Sequence, residues 1–155
     1  MWALQLFLHQ LGVAVWLGAS LTFMIWGPAA RTAPLESWAH TWITLARIQR
    51  ALIAPAAAVA TITGITMTMG LVKRDVDMSQ SGWLMIMQGF GLVAGLMALG
   101  IATPLANRMA ALARRSIDKG ARDPLAERVR SRLALVGSLS GVFILVALYF
   151  AIAKP

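Results

Sequence analysis

The chain has 155 residues, of which 59% are hydrophobic and only 13% charged, with a net charge of +8 and a mean hydropathy of +0.72. A water-soluble domain carries about a quarter charged residues, so a soluble globule does not fit, and neither does a disordered chain. There is no Cys, which removes disulfides, thiolate metal sites, iron–sulfur clusters and Cys nucleophiles; the length allows a single domain, residues 1–155.

Four runs lack Asp, Glu, Lys and Arg: Met1–Ala30, Ala51–Val72, Met78–Asn107 and Leu133–Ala153. Each exceeds the roughly 20 apolar residues that cross a bilayer. Backbone groups in lipid must be bonded internally, and the runs do not alternate as barrel strands do. They therefore predict an all-α integral membrane protein, a bundle of four transmembrane helices spanning about 3–26, 51–72, 82–105 and 133–153. The first run has no basic leader and is too long for a cleaved signal peptide; it reads as a retained helix broken by Gly27-Pro28.

The segment Pro34–Gln49 repeats Leu35, Trp38, Trp42 and Leu45 at helical spacing. It predicts an amphipathic helix at the cytoplasmic interface, running into the second span with both Trp at headgroup level. Between the third and fourth spans, Gly120 suits a helix end, and Asp123-Pro124 suits a start with Asp123 as N-cap. The third and fourth helices are thus expected to project beyond the bilayer.

Orientation follows from the bases. Arg31, Arg47 and Arg50 lie on one side together with Arg108, Arg114, Arg115, Lys119, Arg122, Arg128, Arg130 and Arg132, against Lys73, Arg74 and Lys154 on the other. The positive-inside rule places both termini outside and both basic loops in the cytoplasm. The bases are then topology signals and lipid-headgroup contacts. The bilayer is the expected partner, and nucleic acid is not.

His9 is the only ionisable residue inside a predicted span, and such residues are functional by default. Gly12 and Trp16 share its helix face. Gly12 leaves space beside the imidazole and Trp16 offers a flat wall, as a planar cofactor needs. The alternative is an inter-helix hydrogen bond by His9, with Gly12 and Gly18 allowing close approach. Met67, Met69, Met78, Met85 and Met87 gather toward the same outer side. At about 1.5 Å per residue, His9, Met67 and Met87 lie at similar depth. Imidazole plus thioether suits Cu(I) or haem iron; Met also fills irregular apolar gaps.

Helix-contact signals are Gly91-x-x-x-Gly95, Gly137-x-x-x-Gly141, and the face shared by Thr61, Gly64 and Thr68. Gln88 either ties helices or lines a polar pocket. Pro55 and Pro104 are expected to kink their helices. His40 is expected to be solvated and on the side opposite His9.

Taken together, Leu8-His9, Gly12, Trp16-Leu17-Gly18, Arg47 to Pro55, Gly64, Ser81-Gly82-Trp83-Leu84-Met85-Ile86-Met87 and the closing Lys154-Pro155 resemble the small four-helix protoporphyrinogen oxidases of bacteria (HemJ-like). They resemble the copper-resistance (CopD-like) membrane domains more loosely. The resemblance implies haem b held by His9 and by a Lys early in the third helix. Here Met85-Ile86-Met87 replaces the family's His-Ile-Lys, so Met87 stands at the Lys position and Met85 at the His position. The change removes a charge and a donor but keeps a soft iron ligand, and Met ligation raises the potential.

The expectation is an inner-membrane b-type haem protein, an oxidoreductase if it is an enzyme. Cofactor-binding candidates are His9, Met87, Gly12, Trp16, Met85 and Gly64; metal candidates are His9, Met87 and Met67. The alternatives are a Cu(I)-handling protein using the outer Met residues with His9, and a non-enzymatic accessory subunit of a larger membrane complex or homo-oligomer.

Overall fold

The computed structural model describes residues 2–72 and 82–153. The expectations placed on Met78, Ser81, Lys73, Arg74, Lys154 and Pro155 lie outside the described residues. The described residues contain only helices: α1 (Trp2–Ala29), α2 (Leu35–Ile48), α3 (Ala54–Val72), α4 (Gly82–Leu96), α5 (Thr103–Lys119) and α6 (Pro124–Ala153). A 3-10 turn, Ala30–Thr32, follows α1. Four continuous helical rods result, of 31, 37, 38 and 30 residues, each long and apolar enough to cross a membrane. By that measure the chain is a multi-pass membrane protein.

The Gly27-Pro28 break is not where it was expected. α1 continues past Pro28 to Ala29; Pro28 forgoes its bond to the Met24 carbonyl, and the chain tightens just after it into the 3-10 turn. The second and third rods are the longest. At 1.5 Å per residue they reach about 55 Å, far more than the roughly 30 Å of bilayer hydrocarbon.

The surplus is explained by α2 and α5, which pack along each other. α2 buries Trp38, Ala39, Trp42, Leu45 and Ala46. α5 buries Ala106, Met109, Ala110, Leu112, Ala113 and Ser116. Both sets repeat at three and four residues, the spacing of one helix face. Large indoles on α2 meet mostly small residues on α5, so the rods approach closely. Trp38 and Trp42, expected at headgroup level, are each 4% exposed, their indoles covered by protein. A protein partner for the stripe was available on α5, so the stripe is not left for lipid.

Each long rod changes register once. A π-turn, Gln49–Ile53, joins α2 to α3, and another, Met97–Ala102, joins α4 to α5. Ala54 N–H bonds back to the Gln49 carbonyl, and Thr103 N–H to the Ala98 carbonyl. In both cases a proline, Pro55 or Pro104, follows two residues after the turn. Proline lacks an N–H and its ring crowds the preceding turn. Both expected disturbances are therefore taken up as widened turns. Gln49 locks the two together, its Nε2 donating to the Ala98 carbonyl (3.3 Å) and to Thr103 Oγ1 (3.0 Å).

The other helices close the bundle: α1 lies along α3 and α4 along α6. The turn between α5 and α6 forms as the sequence predicts. Gly120 ends α5 at φ 65°, and Asp123 caps α6, its Oδ1 accepting Leu125 N–H at 2.9 Å. Arg122 in this turn holds the opposite one. It donates to the carbonyls of Arg31 (2.8 Å) and Ala33, and its guanidinium lies 5.2 Å from the Trp38 ring centroid.

Candidate functional site

His9 sits on α1 against α3. Its Nδ1 lies 2.8 Å from the Ala60 carbonyl oxygen and 3.2 Å from Thr63 Oγ1. A carbonyl only accepts, so Nδ1 carries the proton, and in the neutral ring the lone pair is on Nε2. Among the described residues Nε2 has no hydrogen-bond partner. The ring edge lies over Gly64, where an added Cβ would come 3.2 Å from His9 Cε1.

The polar layer continues onto α4. Thr63 Oγ1 donates to the Val59 carbonyl and Thr68 Oγ1 to the Gly64 carbonyl. Gln88 Nε2 donates to Thr68 Oγ1, so Gln88 ties α3 to α4. Imidazole, threonines and amide thus connect three helices within the apolar spans. Side-chain hydrogen bonds of this kind contribute about 0.6–2 kcal/mol each in a bilayer.

The other expected site residues are dispersed. Gly12 does not leave a space beside the imidazole: an added Cβ would meet the Ala56 carbonyl oxygen at 2.9 Å and Ala60 N at 3.0 Å. The missing side chain is used by the α3 backbone, which approaches α1 there. Trp16, 3% exposed, packs in a core with Ile53, Ala57, Ala94 and Ile144. Met67 and Met87 are half-buried, whereas Met69 and Met85 are 56% and 61% exposed, facing outward. His40 is exposed, as expected.

Of the glycine motifs, Gly95 makes the close approach, against Thr61 of α3; Gly18, Gly91, Gly137 and Gly141 meet nothing within 4 Å at a Cβ position. Thr61 Oγ1 is buried without a partner among the described residues. The face Thr61, Gly64 and Thr68 is thus a contact face, with Gly95, His9 and Gln88 respectively.

By ligand type, imidazole and thioether suit haem iron or Cu(I); the contact the structure gives His9 is the inter-helix hydrogen bond to Ala60, the alternative expected from the sequence. Gly12 and Gly64 add no cradle, since protein fills both. Among the described residues no group of three His, Asp or Glu is placed to hold a metal ion. No protein-family model, curated protein or solved structure matches the chain.

Three residues that matter were not singled out from the sequence. Gln49 reads only as the end of an amphipathic segment, and Arg122 and Arg130 only as topology charges. Gln49 had one available signal: it lies six residues before Pro55, inside a stretch whose register had to change.

Proposed function

We propose that the chain is a four-span protein of a bacterial inner membrane, with both termini outside and both basic loops in the cytoplasm, in which His9 presents Nε2 to the iron of haem b. The observation that carries this reading is the 2.8 Å bond from His9 Nδ1–H to the Ala60 carbonyl. Metal-bound histidines are held this way: the second nitrogen donates to a carbonyl, which fixes the tautomer and raises the basicity of the ligating one. The likeness of the first and third helices to the HemJ-like proteins supports the same assignment. Met87, at that family's Lys position, would supply a second ligand. A haem so held supplies one-electron chemistry. The chain's own contribution is to orient the imidazole through Ala60 and Thr63 and to exclude water with the α1–α3 contact.

The test is an absorption spectrum of protein expressed with ample haem. A Soret band that disappears in His9→Ala and survives in Met85→Leu supports the assignment; a shift in Met87→Leu identifies the second ligand. A colourless native protein overturns it, and Cu(I) titration of that protein then tests the outer thioethers.

A second reading, a non-catalytic subunit of a homo-oligomer or larger complex, is favoured by one observation. Among the described residues, an added Cβ at Gly91, Gly137 or Gly141 meets nothing within 4 Å, and small residues on a span are where another helix approaches. Stoichiometric partners in mild-detergent extracts support that reading, and a haem-loaded monomer argues against it.

A further inference from the structure

A cavity of about 200 Å³ lies at the basic end of the bundle, away from His9. Trp16, Gln49 and Ile53 form part of its wall, with Leu133 and Ser140 of α6. It is larger than the roughly 150 Å³ engineered cavity that takes a benzene ring. On one side it is bounded by Met24 and Pro28 of α1 and by Ala134, Gly137 and Ser138 of α6, all exposed. It therefore opens sideways between α1 and α6, in the apolar zone, rather than along the bundle axis.

Its one ionisable lining residue is Arg130, three residues before the charge-free run of α6 begins. The Arg130 side chain is 14% exposed, whereas its partner Glu127 is 63% exposed. Arg130 Nε donates to Glu127 Oε2 at 2.8 Å, and Nη2 donates to Oε1. Among the described residues, Nη1 has no partner. The same carboxylate faces Arg31 at 4.0 Å and the charge of Arg122. Three guanidinium groups thus bear on one acid, leaving an excess of positive charge at the cavity mouth. From Arg130 to Ser140 the cavity follows ten residues of α6, about 15 Å.

We propose that this cavity takes a segment of one acyl chain of an anionic lipid from the leaflet on the basic side, with the headgroup beside Arg130. The sideways opening admits an amphiphile already in the bilayer, the apolar wall takes part of the chain, and the net positive charge of Arg31, Arg122 and Arg130 around the single acid Glu127 takes the head. A neutral lipid leaves that charge unanswered. A free anion gains nothing from the apolar wall.

The experiment uses the full chain, delipidated in neutral detergent and then offered phosphatidylglycerol, phosphatidylcholine or palmitate, with bound amphiphile counted by native mass spectrometry. Phosphatidylglycerol is expected to be retained over phosphatidylcholine by about fivefold, the preference one basic residue confers at an anionic surface. Arg130→Gln is expected to abolish the preference. Because that variant frees Glu127 and can disturb folding, Gly137→Leu, which fills the opening without touching the ion pair, is the second arm. It is expected to lower retention by a similar factor. Palmitate held more tightly than phosphatidylglycerol identifies the head as a carboxylate and supports the same anionic amphiphile. Equal retention of the two phospholipids, unchanged retention in Gly137→Leu, or displacement by millimolar inorganic phosphate alone overturns the proposal.

Discussion

His9 and Ala60 are joined across the α1–α3 interface by a 2.8 Å hydrogen bond from the imidazole Nδ1 to the backbone carbonyl. The bond has two consequences that separate experimentally. It ties two helices, and it fixes which ring nitrogen is left for a ligand. His9→Ala is expected to lose about 1 kcal/mol of stability, the usual size of a side-chain hydrogen bond between spans. His9→Asn, which can still donate to Ala60, recovers part of that loss without recovering a metal site. Unfolding in mixed micelles, read beside the absorption spectrum, distinguishes the two effects.

Gly12 and Gly95 are both close-approach positions, but their neighbours differ. An alanine at Gly95 meets the Thr61 side chain, whereas one at Gly12 meets α3 backbone. Both substitutions are expected to cost about 1–3 kcal/mol by overpacking. Thr61→Ala is expected to rescue Gly95→Ala, since it removes both the clash and a buried hydroxyl without a partner. No side-chain change rescues Gly12→Ala. Stability of the single and double variants checks both statements.

Trp42 lies in the α2–α5 core with its indole N–H buried and without a partner among the described residues. Trp42→Ala is expected to cost about 3–5 kcal/mol, as for other large core truncations. Trp42→Phe keeps most of the ring and deletes the unpaired donor, whose burial costs about 1–3 kcal/mol. It is therefore expected to be at least as stable as the native protein. A Trp42→Phe variant as damaged as Trp42→Ala would show that the N–H has a partner.

Arg122 clasps the two basic loops through two carbonyls and the Trp38 ring. The planar guanidinium fork suits this task and an ammonium does not. Arg122→Lys is expected to behave more like Arg122→Ala than like the native residue. The readout is faster proteolysis in the Ala30–Thr32 turn.

The Gln49 amide spans the two π-turns. Gln49→Leu removes that bridge, but the Ala98 carbonyl keeps its bonds from Thr103. The expected loss is about 1 kcal/mol. Hydrogen exchange is expected to speed up near Ala98 and Thr103 before it does so in α1. Uniform exchange along the chain would show that the bridge does not organise this region.

The apolar spans and the α5–α6 turn were legible because each is written locally. Charge-free runs demand helices, Gly120 supplies a positive φ, and Asp123 supplies a cap. The helix over Leu35–Ile48 was legible for the same reason, but its burial was not. An amphipathic stripe says that something apolar covers it, and only the facing stripe on α5 says what. Likewise, Gly12 reads as empty space in a sequence, and only the neighbouring backbone of α3 shows that the space is used. The sideways cavity was illegible, since its wall comes from α1, α6 and both π-turns, far apart along the chain.

The amino-acid order alone determined that this protein has four long apolar helices with its bases gathered toward one end, because hydrocarbon length and charge are properties of contiguous residues. The folded arrangement decided which polar groups meet. His9 is set against Ala60, Gln49 against Ala98, and Arg130 against Glu127 at a cavity mouth. The first two pairings join different rods, so no single helix contains the information that selects them.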